Sequence, residues 1–187
     1  MNHHRQLTPI ETAMELLNHS SASFNVLTIS KIKGNLNPET LQKSLELLQQ
    51  RHLRLNSRIV GDLNNLYFTN DQSQKILLKT IKFQDQDQLQ QIIKSELNQK
   101  IDREKILFRT IFIQSDNHHN EHYFITLIHH AIIDALSSVR LHSEIFTYCD
   151  RITQGEKINI QTLPVLPPIH DLFPPQLQGI KGTIKHN

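Results

Sequence analysis

The chain has a single cysteine, Cys149. An intramolecular disulfide is therefore impossible, and a secreted scaffold stapled by disulfides is excluded. Cys149 sits in "IFTYCD", inside a predicted helix, where a buried structural thiol is expected rather than a nucleophile. Glycine is scarce, with 5 residues in 187, while Asn and Gln are frequent. No long homopolymeric tract accompanies them, so the chain is not of low complexity. No apolar run approaches the ~20 residues of a membrane span. The opening "MNHHRQLTPIE" lacks the apolar core of a signal peptide, and a cytoplasmic protein is expected. A basic block is missing too. The 20 Lys and Arg nearly balance 18 Asp and Glu, for a net charge of +2. Nucleic-acid binding is not expected from that balance. The 12 histidines add positive charge only below about pH 6.5.

At 187 residues, with 37% hydrophobic and 20% charged side chains, the chain suits one substantial domain. "LTPIETAMELLNHSS" opens a helix: Thr8 can cap, Pro9 fits the first turn, and Glu11 completes a capping box. Ile10, Met14 and Leu17 supply its apolar stripe. "SFNVLTISKIKG" reads as a strand with Phe24, Val26, Thr28, Ser30 and Ile32 on one face. Asn37 and Pro38 then start a helix to about Arg51, with Leu41, Leu45 and Leu48 at helical spacing. Short strands are predicted around Ser57–Val60 and Leu66–Thr69, and another over Lys75–Phe83. Asp85–Ile101 is an amphipathic helix carrying Leu89, Ile92, Ile93 and Leu97 on one side. "KILFRTIFIQSD" and "EHYFITLIHH" are two long strands around the polar loop "NHHN". A last helix covers Asp134–Thr153. Five prolines from Pro164 to Pro175 rule out helix or central strand there. Residues 1–160 are thus expected as one domain, and 161–187 as an extended Pro-rich tail or linker. No internal repeat is present. The element order predicts an α/β (α+β) two-layer sandwich, with a mixed, largely antiparallel sheet and helices packed on it.

The stretch "ITLIHHAIIDALSS" holds the candidate chemistry. "EHYFITLIHH" is apolar on both faces, which marks a central strand. Neighbouring strand residues point to opposite sides, so His129 and His130 are expected to do so. One imidazole can face a cavity while the other braces the structure. Asp134 falls at the start of a helix, a favourable place for a carboxylate. On the residues alone two readings stay open: hydrogen-bonded structural histidines at a strand end, or a catalytic pair. His118, His119, His122, His129, His130 and His142 match no standard zinc spacing, and no metal site is expected.

"HHAIIDA", residues 129–135, resembles the HHxxxDG motif of the condensation-domain and CoA-dependent acyltransferase superfamily, whose fold is that of chloramphenicol acetyltransferase. "LTPIETAMELL" is similar to the family's opening helix. "LNPETLQKSLELLQQRHLRLNSRI" resembles its first long helix with the following RHxxLR segment. "REKILFRTIFI" resembles the strand before the hairpin, and "LPVLPPIHDLFPP" the stretch joining the family's two halves. The resemblance implies an acyltransferase. His130 would be the general base, taking a proton from an acceptor hydroxyl or amine as it attacks an acyl thioester. His129 would be mainly structural, and Asp134 would make an ion pair that shapes the site. The donor would be an acyl-CoA or acyl-carrier-protein thioester, a substrate rather than a bound cofactor. Three features depart from the family. Ala135 replaces the motif glycine. Asn56 stands where the arginine partner of the aspartate is expected, which leaves Arg54 or Arg58 to pair with Asp134, or no cation. The family's second half, with its DFGWG-like segment, is not in the sequence. A separate C-terminal half or a homo-oligomer would complete the site; otherwise the chain would be an inactive half-domain or interaction fragment.

Overall fold

Local signals set most of the element boundaries. A computed structural model describes residues 4–21, 24–70, 74–115 and 121–165, with 167, 168, 171 and 174. Strand β1 (Arg5–Gln6) precedes helix α1 (Pro9–Ser21). The capping box forms: Thr8 N donates to Glu11 Oε2 at 2.8 Å, and Glu11 N donates to Thr8 Oγ1 at 3.3 Å. Strand β2 (Asn25–Lys33) leads to helix α2 (Pro38–Arg51), capped by Asn37 Oδ1 accepting from Glu39 N, with Pro38 in the first turn. A 3-10 turn (Leu53–Asn56) enters β3 (Ser57–Asp62) and β4 (Asn65–Asn70). Then follow β5 (Leu78–Lys82), α3 (Gln86–Leu97), β6 (Phe108–Gln114), β7 (Glu121–His129) and α4 (Ala135–Thr153). The loop pair His118–His119 and most of the Pro-rich tail lie outside the described residues.

The α/β class is as expected, and the strands divide further into two sheets. The larger is mixed, in the order β2-β7-β6-β5, with only the β5–β6 pair parallel. The smaller is antiparallel, in the order β1-β4-β3. Strand β1 has two residues, too few for any periodicity to reveal it. Strand β7 is central and buried along nearly its whole length, which explains its continuous apolar run.

Alternation along β7 sorts the core. Phe124 and Ile128 point toward α2 and α4, meeting Leu41, Leu45, Leu48 and Ile145. Tyr123 and Ile125 point to the other face, meeting Leu89 of α3, while Leu127 meets Ile59 and Phe68 of the small sheet. Each fully buried leucine or phenylalanine contributes on the order of 1.5–3 kcal/mol. Cys149 lies in the first cluster; its thiol donates to Ser44 Oγ at 3.3 Å, and burial pushes its pKa up. It is a structural thiol.

Helix α1 corrects the sequence expectation. Ile10 and Leu17 are exposed and Met14 is only half-buried, while Glu15 and Asn18 are buried. The groove under α1 holds polar partners, so the face that packs is polar. The tail begins in contact with the domain. Leu163 N donates to Arg51 O at 2.8 Å, and Arg51 Nη1 donates to Gln161 O at 3.0 Å.

A second polar seam joins the sheet to α4. His142 Nδ1 meets Ser30 Oγ at 2.7 Å, and its Nε2 meets Thr126 Oγ1 at 2.8 Å. Beside them Thr28 Oγ1 and Ser138 Oγ lie 2.6 Å apart. Burial lowers the His142 pKa to about 4. The unfolded chain therefore binds a proton here more readily than the folded one. The stability due to neutral His142 is complete above about pH 6.5 and lost as pH falls toward 4, to a limit of roughly 3 kcal/mol. Urea unfolding at pH 7 and pH 4.5 should show this loss in the wild type. His142→Gln, which keeps hydrogen bonding without titrating, should flatten it; equal acid sensitivity in both proteins would rule His142 out as the source.

Candidate active site

The end of β7 is held from behind before it presents anything to the outside. His129 is 0% exposed, and its register partner is Asn25, the first residue of β2. Ala131 N donates to its Nδ1 at 3.1 Å, which assigns the neutral ring's proton to Nε2. Nε2 lies 2.8 Å from Oε2 of Glu15, itself only 1% exposed. Asn18 Nδ2 reaches the same carboxylate at 3.4 Å and Ile101 O at 3.2 Å. Asn25 Nδ2 donates to Asn18 Oδ1 at 3.1 Å. Arg103 Nη1 stands 3.6 Å from Glu15 Oε1, an ion pair longer than a hydrogen bond. Its Nη2 donates to Gly61 O at 2.8 Å. This network links α1, β2, β7 and the small sheet around one imidazole.

His130 follows the strand in a turn and is half-buried. Neither ring nitrogen has a hydrogen-bond partner among the described residues, and Nδ1 is shut off from solvent. The ring packs against Phe24, with centroids 5.5 Å apart and planes inclined by 33°. The two histidines therefore differ: one is enclosed and doubly bonded, the other is half-buried, with no hydrogen bond to its ring among the described residues.

Asp134 caps α4. Its Oδ1 accepts from Ser137 N at 2.7 Å, and the side chain is exposed. Hydrogen bonding from Ser137, aided by the nearby His130, holds its carboxyl below the usual range. No cation pairs with it among the described residues. Arg54 lies over the Phe68 ring at 5.0 Å, on the small sheet. The ion pair that the resemblance implied for Asp134 is thus replaced by a helix cap. Ala135 takes the first position of α4 with negative φ, so the motif glycine is not needed there.

The RHxxLR-like segment serves the scaffold. Arg51 Nε and His52 Nε2 approach the two carboxylate oxygens of Glu144 on α4, at 2.9 and 2.8 Å. Tyr148 OH donates to Glu144 Oε1 at 2.6 Å; burial, with that contact, pushes its pKa up to about 12. Asn56 is buried and accepts from Gln49 Nε2 at 2.9 Å, while its own Nδ2 donates to Gln49 O at 3.1 Å. His122 accepts from Ser115 N at 3.1 Å. Among the described residues no group of three or more His, Cys, Asp or Glu is placed to hold a metal, and no helix is long and apolar enough to cross a membrane.

Two residues escaped the sequence reading. Glu15 has a faint signal: with Asn18 it makes a polar pair three residues apart, in a helix whose Leu16 and Leu17 face outward. Phe24, expected on a strand face, stands one residue before β2. Open clefts among the described residues include one lined by Gln49, Asn56 and Gln74 and another lined by Lys31, Lys33 and Phe146. Neither is lined by His130, Phe24 or Asp134.

A histidine-bearing strand end, a carboxylate-capped helix and a mixed sheet under paired helices define a chloramphenicol-acetyltransferase-like half-fold. The family model for the condensation domain matches residues 1–166, and the chain belongs to that family. No curated protein sequence matches it. Solved structures share the fold at low identity. The starter condensation domain of the rhizomide synthetase RzmA is similar at 12% identity and a TM-score of 0.73, over 83% of this chain and 39% of that one. The first condensation domain of the CDA synthetase is similar at 15% and 0.72, over 84% and 41%. The X-domain from teicoplanin biosynthesis is similar at 16% and 0.73, over 85% and 35%. The chain therefore spans well under half the length of these neighbours.

The buried network makes a stability prediction. Removing the Glu15 carboxylate leaves the buried Nε2–H of His129 without its acceptor, at a cost of about 1–3 kcal/mol. Glu15→Ala should lose stability on that scale in urea unfolding, through His129 and Arg103. A loss well under 1 kcal/mol would show that the network does not carry the strand end.

Proposed function

We propose that this chain is the N-terminal half of a condensation-type acyltransferase, with His130 as general base. One observation carries the reading: within the stretch that resembles the family motif, His129 is fully bonded inside the fold while the half-buried His130 ring makes no hydrogen bond among the described residues. A base must offer a free nitrogen near neutral pH, and imidazole does. The acceptor O–H or N–H gives its proton to His130 as its oxygen or nitrogen attacks the thioester carbonyl. The C–S bond then breaks, and the thiolate leaves with a proton returned by the imidazolium. The donor is an acyl thioester on CoA or a carrier protein, and no acyl-enzyme forms. His129 supports the turn, and Asp134 fixes the start of α4 while placing a negative charge near His130.

The chain covers about 40% of its structural neighbours. The reaction needs water kept from the attacked carbonyl, because water competes with the acceptor. A C-terminal condensation half or a second copy of this chain would supply that exclusion. The second reading, a half-domain without turnover, rests on Asn56, which stands where the resemblance expects an arginine and bonds Gln49 instead.

Release of free CoA from a short-chain and a long-chain acyl-CoA, with an amine or alcohol acceptor, tests both readings. The assay is run on the chain alone and with a co-expressed C-terminal condensation half. His130→Ala should lower the acceptor-dependent rate by ~10²–10⁴. An unchanged rate overturns the assignment of the base. No turnover under any pairing favours the inactive half-domain.

A further inference from the structure

Phe24 has φ of +75°, and it is the one non-glycine residue with positive φ among the described residues. Asn, Asp and Gly tolerate this region, whereas a bulky side chain there is strained. Core packing does not account for the strain, because the residue is 46% exposed. Its ring lies against that of His130. The β2–β7 register ends on the pair Asn25 and His129, so the next step outward sets position 24 opposite 130. The backbone is thus bent into an unfavourable conformation at the point where it lays an exposed aromatic ring on the candidate base.

We propose that Phe24 is a positioning residue that holds the His130 imidazole in one orientation. Nothing else among the described residues restrains that ring through a hydrogen bond. A base whose ring rotates freely presents its nitrogen correctly only part of the time, and loss of such alignment lowers the rate of the chemical step. The packed face of Phe24 supplies the restraint that hydrogen bonds supply for His129.

The inference rests on His130 as the base, and its test is separable from that reading. Diethyl pyrocarbonate labelling of the full chain, mapped by mass spectrometry, gives the rate at His130 relative to exposed His19. Phe24→Gly should label several-fold faster at His130, with a melting temperature equal to or above the wild type, because glycine relieves the backbone. Phe24→Leu, with apolar bulk but no ring, should also label faster, and Phe24→Tyr should match the wild type. Unchanged labelling in the Gly and Leu variants overturns the proposal, whatever happens to the melting temperature. Where transfer is measured, Phe24→Leu should lower kcat by about tenfold with KM little changed. Faster labelling with unchanged kcat overturns the positioning role. Unchanged transfer in His130→Ala instead removes the base assignment and leaves the ring contact standing.

Discussion

The 2.8 Å contact between Glu15 and His129 is the constraint on which the end of β7 depends. Both groups are almost fully enclosed, so each requires the other. With Ala131 N on the opposite nitrogen, the ring of His129 cannot turn. Its backbone is held as well: His129 N donates to Leu107 O at 3.0 Å, and Ile132 N donates to His129 O at 3.1 Å. The chain leaves the sheet from a fixed pivot and reaches a second fixed point at the Asp134 cap. His130 lies between the two. A buried charge network that is costly to assemble thus gives a short turn a defined shape.

The scaffold behind this turn uses its charged residues in a way that a motif alignment would misassign. Arg51 and His52 meet Glu144 and join the C-terminus of α2 to α4. Residues 161–163 add backbone contacts to the same corner. Asn56, at the position where the resemblance expects an arginine, forms a two-way amide pair with Gln49 instead. Asp134 in turn takes the N-terminus of α4 as its hydrogen-bond partner.

Much of the fold is legible in the sequence because its signals are local. Asn37-Pro38 and the Thr8/Glu11 box start helices by hydrogen bonds that span three residues or fewer. The doubly apolar run of β7 states that the strand is central. Alternation places His129 and His130 on different sides, and the capping chemistry of Asp134 is readable from its position. The errors occur where a residue answers to a distant partner. Glu15 is buried because His129 lies 114 positions away, and no helical periodicity contains that fact. The apolar stripe assigned to α1 fails for the same reason. The third strand of the small sheet depends on the pairing of β1 with β4, a two-residue contact across about sixty residues.

By itself, the sequence determined the α/β class and the positions of the four helices, because each is written in spacing and capping over a few neighbours, and its resemblance to the condensation domain is matched by the family model over residues 1–166. Tertiary structure decided which polar residues are inside, what Asp134 binds, and that Phe24 lies against His130. Those outcomes depend on which surfaces meet when the chain closes. A side chain's partner, unlike its propensity, is not a property of its neighbours in sequence.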